Sequence, residues 1–110
     1  MEVLAVVTMG LEYAAEYVTH YKIHASYNGS NWHLIAPSDN TDIWTGNTDD
    51  STQIQNVFPE AVVGRFFRLT IVDYNTSNRP ALNWDLLGCN TSGYYGSEVF
   101  LFHKFCNFQP

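Results

Sequence analysis

From His20 to Tyr27 polar and apolar side chains alternate, after a start at Tyr17 that Val18 and Thr19 interrupt, and this pattern constrains the fold more than any other part of the chain. Odd positions are mainly apolar or aromatic and even positions polar: Tyr17, Tyr21, Ile23, Ala25 and Tyr27 against His20, Lys22, His24 and Ser26. A period of two indicates a β-strand with one buried face, because successive side chains point to opposite faces. Asn28 and Gly29 follow, and both tolerate the positive φ of a type I′ turn, which predicts a hairpin.

Further short strands are predicted where apolar or alternating runs are bounded by turn residues. These runs are residues 3–8, 31–35, 43–45, 53–57, 65–71 and 82–86. Gly10 is expected to end the first of them and Pro59 to end the fourth, because both residues interrupt regular strand pairing. No amphipathic helix is predicted. Short strands separated by turn signals favour an all-β antiparallel sandwich or barrel.

The composition limits the classes of function. The chain has 110 residues, enough for one domain, and 45% of them are hydrophobic, which predicts a packed core rather than disorder. Eleven acidic residues outnumber five Lys and Arg, and the net charge is −6. Nucleic-acid binding is therefore not expected, because phosphate recognition depends on clustered cations.

Five sequence blocks together identify a family. They read YVTHYKI at 17–23, NGSNW at 28–32, IWTGNTD at 43–49, RFFRLTI at 65–71 and ALNWDLLGC at 81–89. Their order and spacing resemble the coagulation factor V/VIII type C domain, also called the discoidin domain. The resemblance treats residues 1–89 as a partial domain and 90–110 as an aromatic C-terminal tail outside the family pattern.

This resemblance implies a fold and a broad function. The expected fold is a discoidin-like jelly-roll β-sandwich of antiparallel strands that lacks the family's first strands, because the chain starts at what would be a central strand. The expected function is non-catalytic recognition at the cell surface or outside the cell, in adhesion or glycan binding, alongside other domains of a larger protein. The alternatives are a peripheral phospholipid-membrane-binding module and an incomplete fragment with no binding activity of its own.

By the same resemblance, ligands meet a loop between the first two strands, residues 10–16. The candidate binding residues are Leu11, Glu12, Tyr13 and Glu16. An exposed apolar tip can insert into lipid or stack on a sugar ring, and the alternative is that Leu11 and Tyr13 fold back onto the core. The two glutamates replace the cations of membrane-binding relatives, so anionic membrane is disfavoured and a glycan or cell-surface protein is the expected partner.

The cysteines and glycosylation motifs bear on whether the protein is extracellular. In the family, the cysteine that corresponds to Cys89 pairs with one near the start, which this chain lacks, and Cys106 is the other candidate. A Cys89–Cys106 bridge would contribute about 3 kcal/mol, and two free thiols are the alternative. Asn-x-Ser/Thr acceptors occur at Asn28, Asn75 and Asn90. Met1 to Met9 does not have the pattern of a signal peptide.

Metal binding and catalysis have weak signals. Asp39, Asp42, Asp49 and Asp50 are oxygen ligands of the kind that calcium prefers, but they lack a calcium-loop spacing, so no cofactor is expected and calcium is the alternative. His20 and His24 would lie about 13 Å apart along a strand, too far to share one zinc ion. No Gly-x-Ser-x-Gly motif is present, and the chain is not expected to be an enzyme.

The tryptophans and two arginines are assigned structural roles. Trp32, Trp44 and Trp84 occupy family positions that are usually buried, and we expect all three in the core. Arg65 and Arg68 lie on a predicted strand, where pairing with Asp85 or another acid inside the sandwich is expected.

Overall fold

All regular structure in the described chain is β-strand. The structure, a computed structural model, describes residues 2–11, 15–75 and 82–89. Its strands are β1 (Glu2–Met9), β2 (Val18–Ser26), β3 (Trp32–Ile35), β4 (Trp44–Thr45), β5 (Ile54–Val63), β6 (Phe66–Tyr74) and β7 (Asn83–Cys89). Within these ranges no helix is long and apolar enough to cross a membrane. The predicted all-β class is confirmed.

The strands form two antiparallel sheets. In the first, β1 lies between β5 and β7; in the second, β2 pairs with β6 on one edge and with β3 and β4 on the other. Both sheets supply the buried core, with Val3 and Val6 from β1 and Tyr21 and Ile23 from β2. The structure is thus a discoidin-like β-sandwich, as predicted.

Burial along β2 follows the predicted alternation. Tyr21, Ile23 and Ala25 are buried, whereas Lys22 and His24 between them are half-buried on the other face. In the antiparallel pairing of β2 with β6, directly opposite residues share a face, so the inner and outer faces of β2 continue in β6. The inner face of β2 therefore determines which side of β6 meets the core.

The predicted hairpin is present, but its predicted turn type is wrong. β2 and β3 are joined by five residues, 27–31, and of the two predicted turn residues only Gly29 has positive φ, at 82°. The Asn28 Oδ1 atom accepts hydrogen bonds from the backbone N–H groups of Ser30 (2.8 Å) and Asn31 (2.9 Å). The asparagine side chain thus closes the turn, which lets the loop be longer than a two-residue turn.

Pro59 does not end a strand, contrary to the prediction. It lies inside β5, which runs from Ile54 to Val63 at the edge of its sheet. In the pairing with β1, residues 58–61 all lie opposite the single residue Leu4. The missing N–H of proline is tolerated because this bulge makes no ladder pairs at that point.

The three tryptophans differ in burial. Trp44 is in the core, and its Nε1 donates to the Ile35 carbonyl at 2.8 Å. Trp32 is half-buried. Trp84 is 37% exposed, so the core prediction is wrong for this residue. It is the second residue of β7, opposite Thr8 near the end of β1, where the rim of the sheet leaves a large ring in contact with solvent.

Gly46 and Asn47 connect the two sheets. The Asn47 side chain is buried, and its Nδ2 donates to the carbonyls of Thr8 in β1 (3.1 Å) and Thr52 (2.8 Å). Its backbone N–H donates to Val18 of β2 at 2.9 Å. A Cβ atom on Gly46 would lie 2.8 Å from the Val18 carbonyl oxygen, so a larger residue does not fit there. These contacts give Gly46 and Asn47 a structural role between the two sheets.

Replacing Asn47 by alanine should destabilise the sandwich. The variant removes two buried hydrogen bonds and leaves their carbonyls without this donor, at an expected cost of about 2–3 kcal/mol in the free energy of unfolding. Urea denaturation of the two proteins measures this difference. Asn31→Ala is the matched control, because Asn31 is exposed, and its effect should stay within about 0.5 kcal/mol. Equal stability of both variants would contradict the role of Asn47.

Tyr21 makes a second link between the sheets. Its hydroxyl accepts a hydrogen bond from Asn56 Nδ2 at 2.8 Å, and the same amide donates to the Thr45 carbonyl at 2.9 Å. Burial raises the pKa of Tyr21 to about 12, and the hydrogen bond from Asn56 opposes this rise. The folded protein therefore favours the neutral phenol more than the unfolded chain does.

Stability should fall in alkali because of Tyr21. A raised folded-state pKa contributes stability that is complete below the unfolded value of 10.0 and is lost as the pH rises through about 12. We expect a loss on the order of 2 kcal/mol over this window from this one group. Urea denaturation between pH 9 and 12 measures it. Tyr21→Phe should show a shallower pH dependence, and identical slopes would contradict the assignment.

Candidate functional site: the loop between the first two strands

A short loop between β1 and β2 contains the predicted binding residues. Leu11 and Glu16 lie at its base as a bridged pair, with the Leu11 N–H donating to the Glu16 carbonyl at 2.8 Å. The Leu11 side chain is 44% exposed and does not fold back onto the core. Glu12 and Tyr13 lie outside the described residues. The structure therefore brings two of the four predicted residues together and leaves an apolar side chain in solvent.

Glu16 is less exposed than a loop glutamate usually is. Its side chain is half-buried, and within the described part of the chain its Oε1 atom is buried without a hydrogen-bond partner. Next to it, a Cβ atom on Gly10 would collide with the Glu16 carbonyl oxygen, so Gly10 lets the two ends of the loop approach. The base of the loop is thus closely packed.

Three polar side chains from distant parts of the chain hold this base. Asp50 Oδ2 accepts from the Ala15 N–H at 3.0 Å, and Asn83 Nδ2 donates to the Gly10 carbonyl at 3.2 Å. Asn75 bonds twice, since its Nδ2 donates to the Ala15 carbonyl (3.0 Å) and its Oδ1 accepts from a backbone N–H (2.8 Å). These four hydrogen bonds fix the loop base. Two of them are made by the backbone of Ala15, which has a positive φ of 55°.

Sequence reasoning missed these anchors. From the sequence, Asp50 is a candidate calcium ligand and Asn75 a glycosylation acceptor, and neither these roles nor the family block that contains Asn83 indicates a contact with the loop. The anchors lie 35 to 73 residues from their loop partners, so no local pattern indicates them. A glycan on Asn75 would attach at Nδ2, the atom that here donates to Ala15. Asn28 is exposed, and Asn90 lies outside the described residues.

A shallow cleft borders the loop base. Its volume is about 320 Å³, and its lining includes Met9, Asn83, Trp84 and Asp85. Met9 directly precedes the loop, and Asn83 is one of its anchors. An exposed indole ring therefore lies close to the loop, on the strand that holds it.

Two of the four aspartates considered as calcium ligands, Asp39 and Asp49, accept hydrogen bonds within their own turns. Asp39 Oδ1 accepts from the Thr41 hydroxyl (2.6 Å) and N–H (3.0 Å), and these bonds lower the pKa of Asp39. Hydrogen bonds from Thr52 and Ser51 lower the pKa of Asp49 in the same way. Among the described residues, no group of three or more His, Cys, Asp or Glu side chains is placed to hold a metal ion.

Within the part of the chain that the structure describes, the arginines contact aromatic rings and not the expected acids. The Arg68 guanidinium lies 4.0 Å from the centroid of the Trp32 ring, and that of Arg65 lies 5.8 Å from the ring of Phe66. Both arginines are exposed. The expected pairing inside the sandwich is therefore wrong. Arg68 lies in β6 and Arg65 directly precedes it, at the edge of the sheet, where water solvates a guanidinium and an acid partner is not required.

The cysteine prediction is not decided by these contacts. Cys89 is the last residue of β7 and pairs with Glu2 of β1 in the ladder. Cys106 and the rest of the tail, residues 90–110, lie outside the described residues. A Cys89–Cys106 bridge and the separate status of the tail stay predictions.

Comparison with known proteins identifies the family. The family model described as the F5/8 type C domain matches residues 1–86. The chain belongs to the F5/8 type C domain family. Members are in general non-catalytic binding modules, and the recognition made from the sequence is confirmed.

The relatives of this F5/8 type C domain are much longer proteins, and each matches it over a small part of its length. Neuropilin-1 of Xenopus laevis is 32% identical over 83 residues, which cover 76% of this chain and 9% of the relative. Coagulation factor VIII of Canis lupus familiaris is 30% identical over 93 residues, with 83% and 4% covered. Lactadherin of Mus musculus is 30% identical over 74 residues, with 67% and 16% covered. The domain thus spans less than a fifth of these relatives.

A solved structure supports the fold. Wild-type discoidin II from Dictyostelium discoideum superposes with a TM-score of 0.65 at 24% sequence identity, and the match covers 77% of this chain and 32% of that one. At this identity the likeness concerns the fold. It agrees with the two antiparallel sheets described above.

Removing the Asn75 amide should loosen the loop base. Asn75→Ala deletes two hydrogen bonds, and each is worth about 0.5–1.5 kcal/mol. The Tyr17 amide, which donates to Asn75 Oδ1, should then exchange with solvent roughly tenfold faster or more in amide hydrogen exchange. Asn31→Ala serves as control and should leave this amide unchanged. Unaltered Tyr17 protection in the Asn75 variant would show that the anchor does not hold the loop.

Proposed function

We propose that this F5/8 type C domain is a non-catalytic, extracellular recognition module that binds glycans through the loop of residues 10–16, in cell adhesion. The observation that carries the proposal is the exposed Leu11 side chain on a loop base fixed by four hydrogen bonds. The apolar residue stays in solvent although the backbone beside it is held in place. Such an arrangement suits an external ligand.

A fixed base favours binding because little ordering is left for the ligand to impose. Immobilising a flexible loop opposes association, and a loop held in advance avoids that cost. Leu11 and the exposed Trp84 ring offer apolar area near one end of the sandwich. The C–H face of a sugar ring packs on such surfaces, while polar neighbours meet its hydroxyl groups.

The charge near the loop favours a neutral glycan over an anionic membrane. Glu16 lies at the loop base, and the chain has a net charge of −6. Membrane attraction of a polybasic segment amounts to about 1 kcal/mol per cation, and the described loop residues carry none. Headgroup attraction is therefore absent where an apolar tip would have to insert.

The setting is part of the same proposal. The relatives include coagulation factors, neuropilin and lactadherin, and the chain covers only a part of each, so we place it among other domains of a larger extracellular or cell-surface protein. The acceptor Asn28 lies in an exposed turn, where an attached glycan would not disturb the core.

A glycan array tests the proposal. The protein should bind a subset of neutral glycans, and Leu11→Ser or Tyr13→Ala should weaken that binding at least tenfold. Val63→Ser is the control, because Val63 is 58% exposed on β5 and lies outside the loop. Binding that survives both loop changes would reject the loop as the site.

Two further measurements separate the alternatives. Co-sedimentation with phosphatidylserine vesicles at low salt should leave the acidic protein in solution, and sedimentation would support the membrane-binding module instead. A cooperative thermal melt is expected of an intact sandwich. A broad, non-cooperative melt together with an empty glycan array would support an incomplete fragment without binding activity.

A further inference from the structure

The pairing of β2 with β6 gathers cationic side chains on the outer face of the second sheet. His24 lies directly opposite Arg68, and Lys22 lies opposite Thr70. Opposite residues share a face, as do residues two apart on one strand. Lys22, His24 and Arg68 therefore form one group, called here the cationic face. Their inner neighbours Tyr21 and Ile23 are buried, which confirms that this group points away from the core.

The Trp32 ring holds the Arg68 side chain in a position from which it can bind a ligand. Its guanidinium lies 4.0 Å from the centroid of the Trp32 ring, and its side chain is exposed. Stacking holds the guanidinium plane while leaving the N–H groups at its edge free to donate. Within the described residues no acidic side chain pairs with it. A carboxylate or sulfate can therefore accept two parallel hydrogen bonds from this edge.

The second sheet is low in acidic residues, although the chain as a whole is acidic. Its strands β2, β3, β4 and β6, with the hairpin loop 27–31, contain a single acid, Asp73. Asp73 pairs with His20 near the other end of β6, five residues from Arg68. That separation is about 17 Å along a strand, roughly twice the screening length at physiological salt. Among the residues of these strands and this hairpin loop, Arg68 thus has no acidic neighbour within a screening length along β6, although the net charge of the chain is −6.

We propose that the cationic face is a second binding site, independent of the loop, for an acidic polysaccharide. Sulfate or carboxylate groups of the sugar chain bind Arg68 and Lys22, with His24 between them. The two cations Lys22 and Arg68 lie on neighbouring strands, and about 7 Å separates Lys22 from His24, the residue opposite Arg68, which suits an extended polyanion rather than one small anion.

Binding to immobilised heparin, a sulfated polysaccharide, tests this site. The protein should bind in 0.15 M salt, and Arg68→Gln should weaken the affinity at least tenfold in surface plasmon resonance. Arg65→Gln is the matched control, because Arg65 is also exposed and loses the same charge, yet it contacts Phe66 and not Trp32. This control should change the affinity less than threefold. Equal losses in the two variants would overturn the proposal.

Further variants test the geometry and the independence of the site. Trp32→Leu keeps every charge but removes the ring under Arg68, and it should weaken heparin binding about threefold to tenfold while a thermal melt shows a folded protein. Leu11→Ser should leave heparin binding unchanged. A loss of heparin binding in this variant would contradict the independence of the two sites. Absence of heparin binding, or binding to phosphatidylserine vesicles or polyglutamate through Arg68 in its place, would also reject the proposal.

Discussion

A buried asparagine amide between the two sheets is the contact on which the sandwich depends most. Asn47 donates from its side chain to β1 and from its backbone to β2, and it is almost completely buried. Hydrophobic packing alone holds two sheets together without fixing their relative position, because it is non-directional. The directional hydrogen bonds of Asn47 reach Thr8 near the end of β1 and Val18 at the start of β2. The loop between them begins from that fixed point.

The loop base continues the same arrangement outward. Asp50 follows Asn47 by three residues, so the segment that joins the sheets also supplies an anchor of the loop. Asn75 and Asn83 lie just after β6 and at the start of β7, on either side of the sandwich end. Each sheet therefore contributes to holding one short loop. A loop supported in this way can vary in sequence at its tip without disturbing the core.

Charge is distributed unevenly between the two sheets. The strands of the first sheet carry Glu2, Glu60 and Asp85, whereas those of the second carry Lys22 and Arg68 with the single acid Asp73. Arg68 contacts the Trp32 ring, an interaction that keeps the charge at the surface instead of neutralising it in the interior. This uneven distribution is the basis for proposing two separate binding sites, one at the loop and one at the outer face of the second sheet.

The sequence alone determined the strand content, the inner face of β2 and the family. These features depend on neighbouring residues in the chain, since a period of two and a series of ordered motifs can be read locally. Tertiary structure alone decided how the strand edges and loop are held. Pro59 stays within β5 because a bulge opposite Leu4 accepts it, and Trp84 is exposed because it lies at a rim. The anchors of the loop, Asp50, Asn75 and Asn83, meet their partners only after strands far apart in sequence have paired, and no local pattern records such contacts.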